Sequence, residues 1–143
     1  MKQCTELFNN NKPTLYLIRG CPGAGKSTFA KALWFGLNEG AAICEADDFF
    51  RTKEGYKFDP SKLHKAHAEC QEYVKFVLEN GNDTIVSNTS TTEKEVETYR
   101  KIAEECNANF VSLIVENRHN GVNIHNVPEE KVHQMKQRFS VKL

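Results

Sequence analysis

The sequence predicts a three-layer α/β/α domain built on a mostly parallel sheet. Three observations carry that expectation. Short apolar runs of strand-forming residues alternate along the chain with stretches of helical periodicity, the pattern of successive β-α-β units. A glycine-rich turn joins the first run to the first helical stretch. Polar stretches follow the C-terminal ends of the strands, where an open parallel sheet collects its ligand. With 143 residues, one domain spanning 1–143 is expected, with a core of ordinary size.

Residues 1–12 are polar and asparagine-rich and read as a loose lead-in, with Leu7 and Phe8 as candidates to dock on the core. The first strand follows Pro13, over 14–18. A helix over 28–37 places Phe29, Leu33, Trp34 and Leu37 on one face and stops at Gly40. Residues 41–44 suit a buried second strand, which ends at Glu45, Ala46, Asp47 and Asp48. From Phe49 to Phe58 neither period appears, and a loop is expected. Asp59 and Pro60 open a helix whose apolar positions are Leu63, Ala66, Cys70, Val74 and Val77. His64 and His67 lie off that face without a third metal ligand, so a surface or structural role is expected. Residues 84–87 form a third strand, which runs into Asn88, Thr89 and Ser90. Thr92 and Glu95 make a capping box for a helix carrying Val96, Tyr99, Ile102 and Cys106. The fourth strand spans 110–115, and a polar stretch over 116–126 leads to Pro128 and a last helix with Val132, Met135 and Phe139.

Composition sets limits. Hydrophobic residues make up 39% and charged residues 27%, as in soluble globular proteins. Lysine plus arginine and aspartate plus glutamate number 19 each, so a polyanion must be gripped locally rather than by a general field. No apolar run matches a membrane span or a signal-peptide core, and a cytoplasmic protein is expected. The five cysteines are scattered singly, which argues for reduced thiols rather than a metal cluster or disulfide framework.

The chemistry starts at Gly20, Cys21, Pro22, Gly23, Ala24, Gly25, Lys26 and Ser27, followed by Thr28, which fit the phosphate-loop pattern G-x-x-x-x-G-K-[ST] between a strand and a helix. Glycines let consecutive N–H groups turn inward, and the helix N-terminus adds positive potential. Lys26 is expected at the β- and γ-phosphates of a nucleoside triphosphate and Ser27 on Mg²⁺. Cys21 is read as a small filler. An acid at the second strand end can take the proton of an attacking hydroxyl, and strand alternation would direct only one of Asp47 and Asp48 at the phosphates.

In the order of its motifs, the chain resembles the polynucleotide kinase-like P-loop kinases, a group that includes the kinase domain of phage-type 5′-polynucleotide kinase and small AAA-type ATP-binding proteins. The motifs are Gly20 to Thr28, then Ala46 to Phe50, then Ser87 to Thr89, then Asn123 to Pro128, and the likeness spans about 14–139. It implies a P-loop NTPase fold, ATP and Mg²⁺ as cofactors, and phosphoryl transfer to a hydroxyl, foremost the 5′-hydroxyl of DNA or RNA. It implies Asp47 as the general base with Asp48 in reserve, and Thr89, with Asn88 beside it, on the acceptor side. The segment before Pro128 corresponds to a lid whose arginines close over the transferring phosphate. Here Gly121 and Val122 stand where the lid carries a basic residue, leaving Arg118 as its candidate cation, with Lys131 and Arg138 as substitutes. The third strand ends in Ser87 and Asn88 instead of an acid, and Phe50 takes the place of a helper arginine, with Arg51 one residue late. A kinase of nucleotides or other small molecules, and an ATP-binding module without turnover, are the alternatives. Oligomeric state is not legible.

Overall fold

The computed structural model describes residues 11–143 except His125; Cys4, Leu7, Phe8 and the rest of 1–10 therefore lie outside the described residues. Strands β1 (Thr14–Arg19), β2 (Ala41–Cys44), β5 (Asp83–Ser87) and β6 (Asn109–Ile114) form one parallel sheet in the order β2-β5-β1-β6. A two-residue pair, β3 (Arg51–Thr52) and β4 (Gly55–Tyr56), makes a separate antiparallel hairpin. The helices are α1 (Lys26–Gly36), α2 (Leu63–Glu79), α3 (Glu93–Glu105) and α4 (Glu129–Arg138); the last has no buried residue, so Val132 and Met135 do not form the buried side expected of them.

Two apolar cores explain the layers. Leu15, Leu17 and Val86 point to one face of the sheet and pack with Val74 and Leu78 of α2 and Tyr99 and Ile102 of α3. Ile18 and Ile85 point to the other and pack with Ala30, Leu33 and Trp34 of α1. This alternation on central strands buried on both faces gives the near-continuous apolar runs seen in the sequence. The predicted mostly parallel α/β fold is what the chain adopts. Trp34 is half-buried and packs against the core, but Phe29 is 40% exposed. It precedes the fully packed Ala30 by one residue, roughly 100° around the helix, and so falls off the buried face.

Local signals hold at two helix starts. Asp59 accepts from Ser61 N at 3.0 Å, opening a short 3₁₀ turn over Pro60–Lys62 ahead of α2. Thr92 and Glu95 form the reciprocal capping box of α3. Between 46 and 58 the expectations change. Ala46–Phe50 is a 3₁₀ helix, so strand alternation does not govern Asp47 and Asp48, and 51–56 is a hairpin rather than a loop. Its strands are too short to show a period. The chain's last residues add no strand to this sheet; Ser140 N instead donates to Thr91 O at 2.7 Å.

Cys44 and Cys70, expected to stand apart, are brought together across β2 and α2. Their sulfurs touch, with Cα atoms 6.1 Å apart, within the span of a disulfide. Among the described residues no helix is long and apolar enough to cross a membrane.

Candidate active site

Phosphate loop. β1 delivers the chain into the turn at Gly20, which is buried; a side chain there would meet Val115 O at 2.8 Å. Gly23 and Gly25 take φ of +86° and +93°, a region that L side chains avoid. Gly20 N donates to Thr89 O at 3.2 Å and Ala24 N to Cys21 O at 3.1 Å, so the loop is held by backbone bonds from both within and beside it. Lys26 Nζ lies 3.2 Å from Cys21 O. Burial lowers the Lys26 amine from its usual value, while Cys21, Glu45 and Asp47 act in the opposite direction. Burial likewise raises the Cys21 thiol, outweighing nearby cations, which fits a packing role rather than a reactive one.

Acidic strand end. Glu45 follows β2 in extended backbone, and its carboxylate accepts from Ser27 Oγ at 2.8 Å. Ala46 N then donates to Asn88 Oδ1 at 2.9 Å, tying the end of β2 to the end of β5. The following turn separates the two aspartates. Asp47 is half-buried, close enough to act on Lys26, and Tyr56 Oη reaches its carboxylate at 3.5 Å. Asp48 is exposed and faces Arg51 Nε at 3.4 Å. Phe50, in the place of the helper arginine, is 3% exposed and packs edge-on against Phe49, Tyr56 and Phe58. It anchors the hairpin.

Asn88 is buried and its amide is committed: Nδ2 donates to Tyr99 Oη at 3.2 Å and approaches Cys70 Sγ at 3.9 Å. Burial pushes the Tyr99 hydroxyl up to about 12, so it remains a neutral partner. Asn88 also borders a cavity of 130 Å³ with His67, Gln71, Ser90 and Glu95. Thr89 is half-buried and touches the phosphate loop through its carbonyl. Among the described residues, no group of three or more His, Cys, Asp or Glu could hold a metal.

Lid side. After β6 the chain crosses the phosphate loop. A Cβ on Gly121 would stand 2.5 Å from Gly23 O, and one on Gly23 would stand 2.9 Å from Asn123 N. This contact requires glycine at 121: backbone lies on backbone, with no room for a side chain. Asn117 fixes the bend, accepting from Gly121 N at 2.6 Å and donating to Gly121 O at 2.9 Å. His119 Nε2 approaches to 3.5 Å from where a Gly25 Cβ would be. Arg118 borders a 490 Å³ cleft with Gly20, Cys21, Lys136 and Phe139, but its side chain is 87% exposed and bonded to Glu116. Lys131 is exposed, and Arg138 Nε donates to Thr91 Oγ1 at 3.0 Å.

The AAA domain family matches residues 15–121, three quarters of the sequence. The chain belongs to that family. Human NEDD4-binding protein 2 is 33% identical over 92 residues, 64% of this chain but 5% of that much longer protein. Kti12 of Chaetomium thermophilum, solved with ADP-AlF3, superposes with a TM-score of 0.68 at 15% identity, covering 89% of this chain and 80% of that one. A chain of the Pnkp1/Rnl/Hen1 RNA repair complex gives 0.62 at 19% identity, covering 91% and 38%. The AAA domain thus has the P-loop kinase fold that its motif order implies.

Two features of this AAA domain escape sequence reasoning. Glu45 was visible as one acid among several, but its bond to Ser27 depends on a fold that joins residues 18 apart. Arg19, directly before the phosphate loop, is 3% exposed; it donates to Ser90 O at 2.8 Å and Ser140 O at 2.6 Å and lies 4.8 Å over the Phe139 ring. It binds the chain's end to the loop after β5. No local pattern marks such a residue.

Proposed function

We propose that this AAA domain transfers the γ-phosphoryl group of ATP to a hydroxyl, the acceptor being the 5′-hydroxyl of a DNA or RNA end. The observation that carries the reading is the placement of Asp47. It is half-buried in the turn after β2, its charge acts on Lys26, and the phosphate loop that carries Lys26 has glycines and a helix N-terminus that suit a triphosphate. The acceptor oxygen bonds to the γ-phosphorus as the bond to the bridging oxygen breaks; the hydroxyl proton passes to the Asp47 carboxylate, and ADP leaves. Lys26 and the loop N–H groups hold the phosphates in line. Mg²⁺, which fits the oxygen donors beside the loop, supplies charge neutralisation on those phosphates when bound.

The acceptor class is supported by the surface beside Asp47. Tyr56 and Phe58 are each 48% exposed, and Tyr56 reaches Asp47 itself. Exposed rings of this kind suit stacking by the terminal bases of a single strand. Arg51, also exposed, suits the adjoining phosphate. The order of motifs shared with polynucleotide kinase-like proteins and the structural relative from an RNA repair complex favour the same class.

Incubation of the protein with γ-labelled ATP, Mg²⁺ and a panel of 5′-hydroxyl oligonucleotides, nucleosides and nucleotides tests this. Label on the oligonucleotide end is expected. Label on a mononucleotide alone would move the assignment to a small-molecule kinase. The outward position of Arg118 favours a second reading, an ATP-binding module without turnover, because a lost transition-state arginine costs about 10³ to 10⁵ in rate. ATP binding with no labelled acceptor would establish it.

A further inference from the structure

The P-loop hydroxyl has its nearest carboxylate in an unexpected place. Ser27 Oγ donates to Glu45 at the end of β2, whereas β5 ends in Ser87 and Asn88. The Glu45 side chain is only 12% exposed; besides Ser27, its charge is met by Arg51 at 3.8 Å, a side chain 58% exposed, and by the field of the Lys26 ammonium. A carboxylate this secluded, whose ion pair is with an exposed side chain, suits a bound cation beside the phosphates. A second, independent feature adjoins it. Ser87 is 6% exposed and its Oγ has no hydrogen-bond partner.

Register brings the two together. Cys44 pairs with Val86, so the next residues on these parallel strands, Glu45 and Ser87, are neighbours. Cys44 and Val86 face the core under α2 and α3, so alternation turns Ser87, and Glu45 in its extended backbone, toward the α1 face, where Ser27 opens the helix. Asn88 is turned away, its amide held by Ala46, Tyr99 and Cys70. The result is a carboxylate and two hydroxyls on three elements beside the phosphate cradle. Such hard oxygen donors suit Mg²⁺, which takes few protein ligands and completes its shell with water and nucleotide phosphates.

We propose that Glu45 and Ser87, together with Ser27, form the seat of the divalent cation that accompanies the nucleotide, so that this chain places its metal-holding charge on β2 instead of β5. The proposal rests on the ATP-binding reading above.

Calorimetric titration of the full chain with ATP, in Mg²⁺ and in EDTA, tests it without recourse to turnover. Wild type should bind ATP more tightly in Mg²⁺. Glu45→Gln should keep the affinity measured in EDTA and lose about tenfold or more of the Mg²⁺ gain, and Ser87→Ala should lose part of it. The retained affinity in EDTA reports that the variant is folded. A full Mg²⁺ gain in Glu45→Gln overturns the proposal, as does a wild type indifferent to Mg²⁺. If Glu45→Gln binds no ATP in either buffer, Ser87→Ala decides: an undiminished gain there overturns the seat, and a reduced one supports it. Failure of wild type to bind ATP in either buffer instead overturns the nucleotide reading.

Discussion

The segments on either side of the phosphate loop, 45–58 and 116–124, are held by opposite means. The first is locked by its side chains: Ser27 to Glu45, Ala46 to Asn88, and Phe50 driven into a cluster of rings. The second is laid on the loop by its backbone, Gly121 against Gly23, and is fastened by the Asn117 side chain to its own bend. Its one arginine faces solvent. The difference teaches that the side carrying Asp47 is organised by side chains before any ligand arrives, while the other lies on the loop by backbone and brings no fixed charge to it.

Three variants probe that contrast. Phe50→Ala should have the largest effect: removing a 3% exposed ring costs about 3 kcal/mol, read as a lower denaturation midpoint. It should also loosen the turn that carries Asp47. Gly121→Val should lower the denaturation midpoint by less than Phe50→Ala does and push residue 121 off Gly23, since its Cβ has only 2.5 Å available. Overpacking costs about 1 to 3 kcal/mol, and the displaced segment should speed release of a fluorescent ATP analogue, measurable by stopped flow. Arg118→Ala should change stability by less than about 0.5 kcal/mol, because its partner Glu116 is also exposed. A large loss of ATP retention in that variant would show that the arginine swings inward, and would erase the contrast between the two sides.

The phosphate loop was legible because its geometry is a backbone requirement: only glycine accepts the φ values at 23 and 25, and Lys26 and Ser27 follow at fixed spacing. The helix starts at Asp59 and Thr92 were legible for the same reason, being bonds between residues two or three apart. The hairpin after Phe50 was not, because two-residue strands are below any period and their ordering comes from packed rings. Gly121 read as a missing lid cation, and only its contact with Gly23 shows the steric reason. Glu45, Ser87 and Arg19 acquire their roles from partners that tertiary structure alone brings near. Asp47 and Asp48 look alike in sequence; a 3₁₀ turn sets one toward Lys26 and the other toward Arg51.

The most direct test of the account is single-turnover transfer from labelled ATP to a 5′-hydroxyl oligonucleotide, comparing wild type with Asp47→Asn at matched ATP occupancy. The account predicts transfer by wild type and a loss of about 10² to 10⁴ in rate for Asp47→Asn, with ATP affinity retained. An undiminished rate in Asp47→Asn would contradict it.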